Sequence, residues 1–553
     1  MTVSEHPSTL ISSEHHNDSN NSKLAKNTWK VTAALKRDDR ANRLKPYAHW
    51  GLAELAPPSS QKNITSLVHT RLTDRERSFL AIDATDLAQR LASRDSLARA
   101  RELDTHISAT GKVVGPLHGV PVSIKDHIAV KGEDTATGFV AWAGRKIAEE
   151  DATIVQILRQ AGAIIYVKTT NPQALFGLLS RPGAISTVPQ VILIIVNLAA
   201  AEVAVILEAL LGMLEFTPSC SDIYLYPLND IRVPSAWCGL YGLKPSSNRL
   251  PASGLLSPYP GFDNIHVVIG PMAHSARDLE LFCRTISDYE PWSFDFGTLS
   301  VLWNSSVTQR KEGDKLVIGF FTDDGVVAPH PPIIERLHKT RDALIAAGHE
   351  VIDWVPMDHM QAFKLIAELF FLDGGEAIRA VLAESGEPAI PPLARHLPDS
   401  KEADTHTLAQ SWAANVQRDQ FRARALKHWN DTALQSKSGR PVDAILCPVA
   451  PTLAPPYDTT RWAGYTTYWN LLDLPSVVFP SGEPFRASTW ESTNSSPSDE
   501  PRNPIDAFVK EQWDPEAFDG APIGLQLVGR RWQEEKLLAM LKDVEDAVVR
   551  FEK

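Results

Sequence analysis

The stretch Gly115-Pro-Leu-His-Gly-Val-Pro-Val-Ser-Ile-Lys125-Asp126 is the first part of the sequence that could carry chemistry. Its apolar run reads as a short strand, and a lysine closes it. Burying an ammonium is expensive, and deprotonation relieves the cost. A desolvated lysine can then serve as a general base. The plainer alternative is a lysine that simply emerges at a strand end. His118 and His127 flank the string; each could touch a substrate, but a satisfied structural histidine is the expected role. Asp126 is expected to face the other way and hold a turn. Cys238, in Ala-Trp-Cys-Gly-Leu, has no histidine near it in sequence and reads as a small buried residue. Trp237 and Tyr241 read as core aromatics. No HExxH, Walker loop or strand-end GxGxxG occurs, so neither metal nor nucleotide cofactor is expected.

Alternating elements must position that lysine. Gly119–Ile124 and Ala163–Val167 read as strands around a helix at 152–161, capped by Asp151 and ended by Gly162. The pattern repeats with a strand at 315–321, a helix at 332–347 and a strand at 350–353. Long helices are expected at 78–104, 360–384 and 407–436, and a closing helix at 534–549. Further strands are expected at 444–447, 476–479 and 523–528. Strand-helix-strand alternation with short links predicts an α/β fold with a mixed, mostly parallel central sheet covered by helices on both faces. No obvious linker divides it, so one large domain over 76–553 is expected, with its chemical motifs in 115–255. Residues 29–75 would be an extension packed on the domain. The polar, Pro-rich 488–514 reads as a surface insertion.

Composition narrows the class. The chain has 553 residues, 55 Lys+Arg against 67 Asp+Glu, 22% charged and 43% hydrophobic residues. That describes a globular protein, and a net charge of -12 argues against nucleic acid as partner. Four cysteines (Cys220, Cys238, Cys283 and Cys447) give neither a disulfide framework nor a CxxC pair, which points to the cytoplasm. Met1 to about Thr28 is polar and lacks an apolar h-region, so a disordered tail is expected and a secretory signal is not. His15 and His16 there are expected to be solvated.

The apolar residues are unevenly spread. A dense aliphatic block, Val191-Ile-Leu-Ile-Ile-Val196 and onward to Leu214, resembles a membrane span at first. Asn197, Glu202 and Glu208 interrupt it, and its unbroken run falls short of the ~20 residues a span needs. No membrane contact is expected, although association through 191–214 is an alternative.

Two further strings join the first: Ile231-Arg-Val-Pro-Ser-Ala-Trp-Cys-Gly-Leu-Tyr-Gly-Leu-Lys-Pro245, continuing to Pro251, and Asp519-Gly-Ala-Pro-Ile-Gly-Leu-Gln-Leu-Val-Gly-Arg530. With Asp443–Pro451 and Asn470–Pro480, and in this order, they resemble the amidase signature family, nearest its fungal acetamidase-type branch. The resemblance runs from about Leu72 to Val549. It implies a Ser–cis-Ser–Lys hydrolase that converts carboxylic amides to acid and ammonia or amine, with no cofactor. A small-molecule amide would be the substrate, and a homodimer is compatible with it. In that family the lysine matching Lys125 is the base. It acts through a bridging serine of a Gly-Gly-Ser-Ser-Gly-Gly loop on a nucleophilic serine of a Thr-Asp-Ile-Gly-Gly-Ser-Ile-Arg stretch. Backbone N–H groups of that stretch form the oxyanion hole.

Within 178–230 the sequence departs from the family. Asp230 stands immediately before Ile231-Arg232, in the slot of the nucleophile, and a carboxylate there would repel an oxyanion. Asp222-Ile223-Tyr224 resembles the Asp-Ile-Gly part, and Leu225–Asp230 follows where Gly-Ser is expected. Ser219 and Ser221 lack the two-glycine turn that would expose a nucleophile. The aliphatic block takes the place of the Gly-Gly-Ser-Ser-Gly-Gly loop. Read with the last base of each codon joined to the first two of the next, Val191–Val196 can spell Asn-Pro-His-Asn-Arg, and Ala200–Val205 can spell Gly-Gly-Ser-Ser-Gly. Both match what the family carries here, so the segment reads as a frameshift. Relatives also carry an extra helical stretch where Arg94-Asp95 here joins 83–93 to 96–104. An inactive amidase-like protein, the product of a decaying or misread gene, is therefore the alternative function.

Overall fold

The computed structural model describes residues 28–44, 101–169, 171–175, 219–220, 231–308, 314–397, 405–456, 459–490 and 500–553. The polar tail, the aliphatic block, Asp230 and most of the helix expected at 78–104 lie outside them.

Ten strands form one sheet: β1 Pro121–Lys125, β2 Ile164–Thr169, β3 Ser219–Cys220, β4 Tyr241–Lys244, β5 Pro271–Ala273, β6 Val317–Phe320, β7 Glu350–Asp353, β8 Ala444–Pro448, β9 Ser476–Pro480 and β10 Gly524–Val528. Their order is β2-β1-β3-β5-β4-β9-β10-β8-β6-β7. The helices used below are α1 Thr28–Leu44, α2 Arg101–Thr110, α3 Thr153–Gln160, α4 Arg232–Cys238, α5 Ala276–Asp288, α6 Pro331–Ala346, α7 His359–Phe370, α8 Glu376–Ser385, α9 Pro391–Ala394, α10 Leu408–Asp431, α11 Gly464–Leu471, α12 Pro504–Glu511 and α13 Glu534–Glu552.

The fold is α/β, with a mixed sheet flanked by helices. Parallel pairing is confined to its two ends, β2-β1-β3 and β8-β6-β7. Every pairing from β3 through β5, β4, β9 and β10 to β8 is antiparallel. The expectation of mostly parallel strands thus holds only at the two ends, each built on a strand, a crossover helix and the next strand (β1-α3-β2 and β6-α6-β7) with one further parallel neighbour, β3 or β8. A parallel pair needs such a crossover, whereas the middle strands meet partners from distant parts of the chain.

Side chains alternate across each strand and build two cores. Ile318, Phe320, Leu446, Leu525 and Leu527 join Val122 and Ile124 in one cluster. Val317, Ile445, Cys447 and Val528 point the other way, into an aromatic-rich cluster with Trp354, Trp429, Trp462, Tyr465, Tyr468 and Trp469.

Three local expectations change. Asp151 is not the cap of α3; Ala152 holds that position without a side-chain cap. The Asp151 carboxylate instead accepts from the backbone N–H of Lys131 (2.7 Å) and from Arg159 Nε (2.9 Å). The single helix expected at 360–384 is broken into α7 and α8. Gly374 and Gly375 both take left-handed φ (65° and 79°), which glycine adopts without a Cβ penalty. Asp373 then receives the N–H groups of Gly375 and Ala377, 2.8 Å each. The stretch read as a surface insertion includes α12, whose Asp506 is wholly buried and accepts from Ala328 N (2.9 Å). At the other end of the chain α1 touches the domain through Lys36 Nζ and Asp134 Oδ2 at 2.5 Å.

Candidate active site

β1 carries Lys125 to the C-terminal edge of the sheet. Pro121 opens the strand, where its missing N–H is tolerated, and Val122 and Ile124 are fully buried. Lys125 pairs with Thr169 of β2, and Ile124 pairs with Cys220 of β3. The Lys125 side chain is buried, 4% exposed. The side chain thus sits at the strand end away from water.

The residues that follow are fixed in place. Asp126 N donates to Thr169 O (2.8 Å). Its carboxylate accepts from the N–H groups of Ala136 (3.0 Å) and Thr137 (2.6 Å), the latter at a left-handed φ of 51°. Removal from water pushes the Asp126 carboxyl above its ordinary range, while Lys168 and the two N–H groups hold it down. His127 is buried, and Asn171 Nδ2 lies 2.9 Å from its Nδ1. Desolvation drives the imidazole well below its ordinary pKa, with the charges of Lys125 and Lys168 adding to the effect. His127 is therefore neutral beside the lysine. Its Nε2 and Asn171 Oδ1 are buried without a hydrogen-bond partner among the described residues.

His118 is not part of this constellation. It precedes β1, at the opposite end from Lys125, and its Nδ1 accepts from Val114 N (3.1 Å). Gly162 passes so close that a Cβ there would meet His118 Cα at 2.8 Å.

On the other side of β3 and β5 lies α4, which begins at Arg232 with Ile231 before it. Its Arg232 is fully buried and donates to Ser476 Oγ (2.9 Å), Thr466 O (2.9 Å) and Asn470 Oδ1 (2.6 Å). Val233, Ala236 and Trp237 pack on Val449, Ala450, Ala454 and Val478, and Trp237 Nε1 donates to Thr452 O (3.0 Å). Two glycines permit the close approach. A Cβ on Gly242 would lie 2.1 Å from Ser235 Oγ, and one on Gly524 2.5 Å from Ala236 Cα. Gln526 of the third string is also buried, donating to Pro448 O (2.6 Å) and Tyr465 O (2.9 Å). The three sequence strings thus meet around one sheet, with Arg232 as the tie between α4, β9 and α11. Cys238, expected to be buried, is exposed at the end of α4. Tyr241 is half-buried and donates to the Glu545 carboxylate. Ser219 belongs to β3, while Ser221, Asp222-Ile223-Tyr224 and Asp230 lie outside the described residues.

Two residues here were not singled out in the sequence. Lys168 has the very signal that marked Lys125, a lysine near the end of an apolar strand, and it too is buried. Its Nζ donates to Asp134 O (2.7 Å) and Thr135 Oγ1 (2.9 Å), a structural tie. Asn171 carries no local signal, because its partner His127 lies 44 positions away.

The Amidase family model matches residues 76–189 and 230–538. The match includes all three strings and leaves out 190–229, which contains the aliphatic block. An acetamidase of Emericella nidulans is 34% identical over 509 residues, 89% of this chain and 88% of its own. An acetamidase of Aspergillus oryzae is 34% identical over 483 residues, 85% of this chain and 84% of its own. Among solved structures, a fatty acid amide hydrolase superposes with a TM-score of 0.80 at 26% identity, over 95% of this chain and 96% of that one. Among the described residues no helix is long and apolar enough to cross a membrane. With the family model matching most of this chain and relatives 34% identical over 85–89% of it, the chain belongs to the amidase family.

Proposed function

We propose that this scaffold serves hydrolysis of carboxylic amides, with Lys125 as general base, and that the chain as written is impaired because its serine-bearing segment is out of frame. The observation that carries the first half is the buried Lys125 at the C-terminal end of β1, paired beside β3, whose chain leads on toward α4. In the reaction Lys125 takes a proton from a bridging serine, which takes one from the nucleophilic serine. The nucleophile attacks the amide carbonyl, the C–N bond breaks, and the proton passes to the departing amine. Water then hydrolyses the acyl-enzyme ester to the carboxylate and regenerates the serine. N–H groups of the glycine-rich turn that carries the nucleophile would stabilise the oxyanion. The acetamidase relatives favour a short aliphatic primary amide as the first substrate to try. Free thiols on Cys238, Cys283 and Cys447 fit a cytoplasmic location.

The second half rests on the family match, which stops at 189 and resumes at 230. The same interval holds the codons that can spell Asn-Pro-His-Asn-Arg and Gly-Gly-Ser-Ser-Gly in a shifted frame. The test is the nucleotide sequence across codons 175–235, with the transcript. Codons that spell those two motifs in the shifted frame support the reading; codons that cannot spell Gly-Gly-Ser-Ser-Gly end it.

A further inference from the structure

Away from Lys125, a cavity of about 410 Å³ opens between α10, the turn after α11 and the end of β10. Arg422, Arg530 and Arg531 line it together with Trp354, Trp429 and Tyr468. The indole rings of Trp354 and Trp429 meet edge to face, with centroids 5.7 Å apart. Arg530 lies over Trp429, its guanidinium carbon 5.1 Å from the ring centroid.

The charges around this cavity do not balance locally. Arg531 is paired with Asp473 at 2.6 Å. Arg422 shares Asp419 (3.5 Å) with Arg418, which holds it more closely at 2.9 Å. Arg530 donates to a neutral acceptor, Asn430 Oδ1, at 3.0 Å, and the Asp443 near it is engaged by Arg440 at 3.2 Å. Five guanidiniums, those of Arg418, Arg422, Arg440, Arg530 and Arg531, thus face three carboxylates, Asp419, Asp443 and Asp473. Burial holds both Arg422 and Arg530 below the ordinary arginine range, and Arg418 and Arg531 push Arg422 the same way. An anion in the cavity would offset this excess.

The aromatic wall of the cavity is deeply buried. Trp354 and Tyr468 are 5% and 1% exposed, and neither the Trp354 Nε1–H nor the Tyr468 hydroxyl has a hydrogen-bond partner among the described residues. A buried donor left without an acceptor is costly. Both residues line this cavity, and since these two donor atoms are themselves closed off from solvent it is the rings that wall it.

We propose that the cavity binds a planar organic carboxylate, its carboxylate against Arg422 and Arg530 and its ring against the indole walls. A guanidinium fork matches a carboxylate bidentately, flat rings pack on indole faces, and the volume falls among those of small-molecule sites. The site does not rest on the amide-hydrolase reading, since binding is read directly on the chain as written.

Sodium benzoate is the probe, titrated by calorimetry with benzamide and inorganic phosphate alongside. Benzoate binds, and the neutral isostere benzamide binds about tenfold more weakly or not at all, because it lacks the charge. Arg422→Gln with Arg530→Gln weakens benzoate about tenfold or more. The single Arg422→Lys variant, which keeps the charge and loses the fork, covers the case in which the double variant does not fold, and it too binds more weakly. Benzamide binding as tightly as benzoate, phosphate binding where benzoate does not, no benzoate binding at all, or benzoate binding unchanged in the folded variants would each overturn the proposal.

Discussion

Asp126 and Lys125 show how adjacent residues divide two tasks. One strand turn places the lysine amine in a dry position and turns the neighbouring carboxylate onto the N–H groups of Ala136 and Thr137. Asp126→Ala removes Oδ2, the acceptor of both bonds, leaving two backbone donors unpaired. We predict a loss of about 1–3 kcal/mol in urea unfolding. Lys125 was legible in the sequence because a charge closing an apolar run stands out locally. The clamp on His127 was not, since Asn171 reaches it only through the pairing of β1 with β2. Cys238 shows the reverse error: its small apolar character suggested burial, but it is the last residue of α4 and the exposed one in an otherwise buried helix.

Elements matter here for how closely they approach. α4 rests on β4 because Gly242 offers no Cβ to Ser235 Oγ. Gly242→Ala would push the helix off the sheet and strain the buried Arg232 tie to Ser476, Thr466 and Asn470. The expected cost is about 1–3 kcal/mol, as for other overpacked sites, read as a lower urea midpoint with an unchanged slope. Most strands and the closing helix were legible, since β-branched runs and amphipathic spacing are local properties. The split between α7 and α8 was missed because apolar spacing continues through Gly374-Gly375, while the left-handed backbone there stops the helix. The antiparallel middle of the sheet was illegible for a different reason: strand direction is decided by which distant segments meet.

The whole molecule carries a buried acid and base in its aromatic-rich core. Asp324 Oδ1 accepts from the N–H groups of Val326 and Val327, and Oδ2 from Trp462 Nε1 at 2.7 Å. His359 Nδ1 lies 3.9 Å from Asp324 Oδ2, and its ring stacks on Tyr468 at 4.0 Å. Burial pushes Asp324 up to about 7 and His359 down to about 3. The folded state thus holds an extra proton on Asp324, so that term loses stability as pH rises from about 4 to 7. It refuses a proton on His359, so that term loses stability as pH falls from about 6.5 to 3. Between about 4 and 6.5 the two slopes oppose each other. His359→Phe removes only the second. Its stability should therefore gain on the unsubstituted protein as pH falls below 6.5, by up to about 1.4 kcal/mol per pH unit. Unfolding midpoints from pH 7 to 4.5 test this, and parallel curves for the two proteins would refute it.

Lys125 and the interval left out of the family match belong to one proposed reaction. It is tested most directly by measuring ammonia release from acetamide with the chain as written, a chain whose 190–229 segment is restored to the family frame, and the restored chain carrying Lys125→Ala. We expect little or no release from the first, turnover by the second, and a loss of about 10²–10⁴-fold in the third, the range for removing a general base. A soluble restored chain that stays inert on every amide tried, or activity that survives Lys125→Ala, would contradict it.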